Sequence, residues 1–447
     1  MKPKIGTGTK RSPLWIFSFG VNLAACGQMI FWSFGFRCGF YNTLGVFIIL
    51  FSAYLCLTLC LAEISSCLPF SGGSYALARV TAGPLTGFLV GCADRIDLIC
   101  NIGLSIMLMG WISTHAMGIP HKYAQVLSWI VIYSMCCFNL WTTSRNRYWW
   151  SMASIAVFYV AILIVFFLSC VGDADFGKGL PVKSDEMVDG SDFLSLFPRC
   201  MMFFSGLQFV QVGAVDVKDP KKNIPRLLIL GIAFAFFVGI TVLFLAASHA
   251  PSELFYSHQF PLAIIPAWSS ALQAQPKFIA LLLLPTFFAS FQGSLFALQR
   301  VSMAMLQSNL LLLARPPDFI HCTDEQFFLI RMGVFVFVGM MVGFVIIRDE
   351  WFWIVAQIAM LGSMSSQCAN LFSFIVFRMQ FGSLERGFVS PLGIAGAVYP
   401  FLVFVLVIGG IVARGRNGRI ALTIFITVVI LTLALYHFKL KSQQRFS

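Results

Sequence analysis

Charge is what this sequence has least of. Asp, Glu, Lys and Arg make up 11% of its 447 residues, against about 25% in ordinary soluble domains. That shortfall excludes a chain whose surface lies mostly in water. Histidine is scarce as well: the six residues fall in loops or at the ends of apolar runs. The 13 cysteines contain no paired CxxC motif, and most sit inside apolar runs, as Cys56, Cys60, Cys92, Cys136 and Cys137 do. These absences argue against a metal centre built from His and Cys. Free Cys then serves as a small apolar packing residue. No nucleophile–base constellation stands out, so an enzyme is not expected. The glycine-rich "FSGGS" at Phe70–Ser74 lacks the Gly-Lys-Ser/Thr ending of a phosphate loop. Alternating strands are missing too, which excludes a membrane barrel.

Apolar residues fill the space that charge leaves. The chain is 59% hydrophobic and 15% aromatic, with a mean hydropathy of +0.86. A bilayer core takes about 20 apolar residues at about 1.5 Å rise each. Twelve such runs are visible, approximately at 14–36, 43–68, 84–110, 123–143, 150–172, 193–216, 224–248, 276–300, 327–347, 351–378, 391–413 and 418–438. Backbone groups in lipid must bond within their own segment, so each run predicts a helix.

The 30 basic residues exceed the 18 acidic ones, for a net charge of +12. Most of the basic residues, including Lys2, Lys4, Lys10, Arg11, Arg145, Arg147, Lys218, Lys221, Lys222 and Arg226, fall on one side if the amino terminus is inside. This predicts cytoplasmic termini and, as the compartment, the plasma membrane. Arg414, Arg416 and Arg419 run against the pattern. An inner basic surface facing anionic lipid accounts for the net charge. Nucleic acid is not an expected partner, because the basic residues are scattered over short loops.

Two of the runs carry small and polar residues at a comparable depth. The first has Ala24-Ala25-Cys26-Gly27 followed by Gln28; the sixth has Phe204-Ser205-Gly206 followed by Gln208. A helix interrupted at membrane depth is tolerated only where it lines a cavity or is buried in protein. Runs one and six open two successive groups of five. Matched breaks in corresponding helices point to an inverted-repeat transporter with its site between them. Freed N–H groups there hold anions, and freed carbonyls hold ammonium groups or cations.

Three loops carry a family likeness. They are "AEISSCLPFSGGSYALARVTAGPLTGFLVG" at Ala62–Gly91, "VKDPKKNIPR" at Val217–Arg226 and "SFIVFRMQFGSLERGFVSPLGIAGAVYP" at Ser373–Pro400. In this order they resemble the amino acid–polyamine–organocation permeases, most of all the ethanolamine permease branch. The resemblance implies an all-α LeuT-type 5+5 inverted repeat with about twelve membrane helices, the first and sixth discontinuous. It implies a tail over 1–13, a ten-helix core over 14–378, two further helices over 391–438 and a tail over 439–447. Expected is secondary transport of a small amine or amino acid, without a cofactor, driven by an H+ or Na+ gradient or by exchange. Ethanolamine is the first substrate expected and a neutral amino acid the second. A non-transporting nutrient sensor of the same fold is the alternative. Any accessory subunit is left open.

Matched onto this chain, the substrate residues of the family fall at Ala25, Cys26, Gly27, Phe204, Ser205, Gly206 and Gln208. The chain departs from the family at Ala25-Cys26-Gly27, where a Gly-Ser/Ala-Gly break is usual. It departs again at Gln208-Phe209, where ethanolamine permeases tend to have an acid and Gly. Run five has no Lys, which some proton-coupled relatives use. The third run holds Asp94, Asp97, Asn101 and Ser105 at spacings that share one helix face. Asp97 is a further candidate for substrate, or, with Asp94, for proton transfer; a structural ion pair with Arg95 is the competing reading. Glu63, Ala24, Ser290 and Ser294 complete the candidate coupling or ion-site residues.

Overall fold

The computed structural model describes residues 11–30, 40–69, 72–117, 145–171, 193–249, 272–307, 350–413 and 415–437, with isolated positions between them. Apart from one isolated β-bridge, regular structure among the described residues is helical. The helices are α1 (Pro13–Ile30), α2 (Phe40–Cys67), α3 (Gly73–Ala82), α4 (Pro84–Met117), α5 (Arg145–Val171), α6 (Leu196–Met201), α7 (Pro220–His249), α8 (Pro276–Gln307), α9 (Glu350–Gln380), α10 (Ala395–Ala413) and α11 (Arg416–Leu435). Eight of these are long and apolar enough to cross a membrane. The chain is a multi-pass integral membrane protein. The apolar runs at 123–143 and 327–347 lie outside the described residues, save three isolated positions in the former.

Burial separates central helices from peripheral ones. In its most apolar window α4 is 78% buried, whereas α11 is 17% buried. A helix that hides most of its circumference belongs to the bundle interior, and one that exposes apolar residues all round faces lipid. α4 packs against α3, α8 and α9, while α1 packs against α5, α7 and α8. α10 lies on α2, and α11 on α9.

The sixth run is not one helix. α6 ends at Met201, a turn spans 202–206, and a 3-10 helix runs over Leu207–Val215. Gly206 sits at φ 95°, ψ −23°. A side chain in this left-handed conformation costs about 1–2 kcal/mol, so glycine belongs here.

The first run behaves differently from expectation. α1 is an unbroken α-helix through Ala24, Ala25, Cys26 and Gly27 to Ile30. Ala is the best helix former, and one Gly costs only about 1 kcal/mol. Gly27 serves close approach instead: a Cβ there would collide with the Met202 carbonyl oxygen. One helix stays whole and lets the break in the other rest against it. Residues 31–39 lie outside the described residues.

Several chain segments are tied together at one end of the bundle. Arg11 pairs with Val217 in the bridge, donating its N–H to the Asp216 carbonyl at 2.6 Å and accepting from the Lys218 N–H at 3.1 Å. The Asp216 carboxylate forms a salt bridge with Arg300 of α8.

Candidate functional site

α1 and the 202–206 turn meet closely. A Cβ on Gly206 would stand 2.9 Å from the Leu23 Cβ. Between them lies a cavity of about 30 Å³, walled by Cys26 and Gly27 of α1, Ser205 and Gly206 of the turn, Asn101 and Ser105 of α4, and Ser290 and Ser294 of α8. Leu23, Met202, Phe209 and Phe352 close its apolar sides. Ser290 lies beside the Cys26 thiol. The polar groups on this wall are hydroxyls, a thiol, an amide and backbone; among the described residues no carboxylate or basic side chain lines it.

The Cys200 and Met201 carbonyls at the end of α6 accept from the Phe203 and Phe204 N–H groups, and the Gly206 N–H ahead of the 3-10 helix donates to Gln208 Oε1.

Not every expected residue reaches the cavity. Cys26, Gly27, Ser205, Gly206, Ser290 and Ser294 do. Ala24 and Ala25 are buried, yet they pack in the core. Phe204 turns away into an aromatic cluster, with its ring 5.1 Å from Phe47, 6.1 Å from Phe51 and 5.4 Å from Tyr54. Its ring packs the break against α2. Gln208 folds back: its Oε1 accepts the Gly206 N–H at 3.1 Å, and its Nε2 donates to Ser363 Oγ at 3.4 Å. The amide caps the 3-10 helix and binds it to α9. Asp94 and Asp97 are buried but lie off the cavity wall. No described ion pair joins either of them to Arg95.

Glu63 belongs to a clamp at the end of α2. Arg378 donates to both its oxygens, Nε at 3.0 Å and Nη2 at 2.6 Å. Arg386 donates to Oε1 at 2.6 Å, and the Ser390 N–H to Oε2 at 2.8 Å. Four donors saturate the carboxylate. Glu63 thus joins α2 to α9 and the loop after it.

Gln28 is a functional residue that sequence reasoning passed over. Its Nε2 donates to the Phe203 carbonyl at 3.4 Å and the Ala235 carbonyl at 3.3 Å, while Tyr159 Oη donates to its Oε1 at 2.8 Å. It ties the Phe203 carbonyl of the turn to α1. The signal was there, a buried amide in an otherwise apolar turn of α1. Gln28→Leu is expected to orphan the Phe203 carbonyl and the Tyr159 hydroxyl and to destabilise the protein by about 1–3 kcal/mol for each. Thermal unfolding in detergent reads this, and an unchanged midpoint contradicts the bracing role.

The family model for amino acid permeases, described as "Amino acid permease", matches residues 23–446. The chain belongs to this family. It is 24% identical over 182 residues to the amino-acid permease RocC of Bacillus subtilis (strain 168), covering 38% of each chain. It is 24% identical over 191 residues to the Asc-type amino acid transporter 1 of Mus musculus, covering 40% of this chain and 36% of that protein. The chain thus spans well under half the length of these curated relatives. Among solved structures, a mutant of the Eremococcus coleocola manganese transporter aligns with a TM-score of 0.60 at 12% identity, covering 97% of this chain and 96% of the other. That likeness speaks for the fold alone, a LeuT-type helical arrangement.

Proposed function

We propose that the protein is a secondary transporter that carries a neutral amino acid across the membrane by alternating access. The observation that carries this reading is the cavity at the interrupted sixth span, bounded on its other side by Cys26 and Gly27. A zwitterion suits the cavity because it brings both charges itself. Its two charged ends would be met by the Ser105, Ser205, Ser290 and Ser294 hydroxyls and the Asn101 amide on the wall. Ethanolamine carries a positive charge that no described carboxylate on this wall would balance, which makes it the weaker substrate. The cavity is smaller than an amino acid, so loading requires α1 or the 202–206 turn to move outward. Rocking of one helix group against the other supplies such motion in transporters of this design.

The test is uptake by proteoliposomes of labelled neutral and cationic amino acids and ethanolamine, under imposed H+ or Na+ gradients and under exchange. Saturable uptake of neutral amino acids, with ethanolamine weaker, is expected. Uptake of ethanolamine in preference to amino acids would overturn the substrate assignment. No saturable flux under any condition would favour a sensor.

A further inference from the structure

α4 and α9 come into close contact at Gly362, where a Cβ would stand 2.9 Å from the Ala93 carbonyl oxygen and 3.2 Å from the Asp97 nitrogen. Polar residues gather around this contact. α4 contributes Asp94 and Asp97; α9 contributes Ser363, Ser366, Gln367 and Asn370 at helical spacings that share a face. All are buried, with Ser366 and Gln367 at 0% exposure and Asp94, Asp97 and Asn370 at 1%. None lines the cavity between α1 and the 202–206 turn.

Hydrogen bonds fix the frame of this cluster. Asn370 donates to Ser74 Oγ of α3 at 3.0 Å, and Gln367 donates to Ser363 Oγ at 3.1 Å. Ser74 and Ser366 flank the Asp94 carboxylate, and Ser363 flanks Asp97. Asn101 donates to Asp97 Oδ1 at 2.6 Å. What is left over is a set of acceptors. Both Asp94 oxygens, Asp97 Oδ2, Gln367 Oε1, Asn370 Oδ1 and Ser366 Oγ make no hydrogen bond of good geometry, although the Ser74 and Ser366 hydroxyls stand beside Asp94 and the Tyr54 hydroxyl beside Gln367. Neither aspartate takes part in a described ion pair.

A buried carboxylate without a partner is costly, and proteins pair such groups or place them on a cation. Protonation satisfies one oxygen and leaves the two amide oxygens unserved. A hard cation takes several oxygens at once and prefers carboxylate and carbonyl ligands. Two neighbouring buried carboxylates favour a state that holds one proton, so about one negative charge remains on the pair. A single positive charge matches it. We propose that this α4–α9 pocket binds one sodium ion, centred on Asp94 and Asp97 with the amide oxygens of Gln367 and Asn370. Ser363 also receives the Gln208 amide that caps Gly206. Occupancy therefore bears on the break through one hydroxyl. That last link rests on the transport reading; the ion site does not.

Radioactive sodium binding to the purified full-length protein, by scintillation proximity, tests the site directly. Saturable binding displaced by NaCl and not by choline chloride is expected. Asp94→Asn should weaken it about tenfold or more, and Asn370→Ala and Gln367→Ala by less. Asp94→Asn should also be the more stable protein in choline chloride, since an unbalanced charge is gone, and should lose the stabilisation by NaCl seen in wild type. The amide variants keep the test open if the aspartate variant fails to fold. Absence of sodium binding overturns the proposal. So does binding that Ser290→Ala or Ser294→Ala abolishes while Asp94→Asn retains it. Stabilisation by low pH that needs Asp94, without sodium binding, makes the occupant a proton and equally overturns it.

Discussion

Gly206→Leu abolishes uptake while the protein still reaches the membrane. Two effects combine. The residue is held at φ 95°, where a side chain costs about 1–2 kcal/mol. The first carbon of that side chain would stand 2.9 Å from Leu23 Cβ, and overpacking of this kind costs about 1–3 kcal/mol more. The sum corresponds to a loss of at least about 30-fold in occupancy of the native turn. The rest of the leucine would fill the cavity. Ser205→Leu separates these effects, because Ser205 lines the same cavity without a left-handed backbone. Both variants should lose uptake, and only Gly206→Leu should lower the melting temperature markedly. Normal flux in either variant removes the cavity from the transport route.

Glu63→Ala produces a large loss of stability. The carboxylate is completely buried against Arg378 and Arg386, whose side chains are 18% and 14% exposed. Removing it leaves two guanidinium groups without a counter-charge and strands the Ser390 N–H. Breaking a buried pair from one side costs about 3–5 kcal/mol. Thermal unfolding in detergent should show the midpoint fall by several degrees. The cause is testable by removing the other side as well. Glu63→Leu combined with Arg378→Met and Arg386→Met should recover most of the loss, since an apolar replacement of the whole cluster carries no unpaired charge. A Glu63→Ala protein as stable as wild type would show that the clamp holds nothing together.

The architecture was legible from apolar run length, because lipid leaves helices as the simplest way to satisfy each segment's backbone. Gly206 was legible for the same kind of reason: a glycine between polar residues in an apolar run marks a place where the helix can end. Gly27 looked alike in sequence and proved different in kind. What distinguishes the two is the neighbouring chain, since Gly27 admits the Met202 carbonyl and Gly206 adopts a positive φ. No single segment carries that information. The directions of Phe204 and Gln208 are not legible in sequence: residue type says what a side chain can bind, not which way a distorted turn points it. The clamp around Glu63 is not legible in sequence because its partners, Arg378 and Arg386, lie more than 300 residues along the chain. The Asp94 and Asp97 face of α4 was readable from spacing, but its counterpart on α9 became meaningful only when the two helices were seen in contact.

The central claim is that a small solute sits between the interrupted sixth span and the unbroken first helix. Electron cryo-microscopy of the full-length protein, with the amino acid that gives saturable uptake, tests this most directly. The account predicts solute density in contact with Cys26, Gly27, Ser205 and Gly206, with Gln208 still folded back onto the Gly206 N–H. Density bound elsewhere in the bundle, or a sixth span that runs as one continuous helix through 202–206, would contradict it.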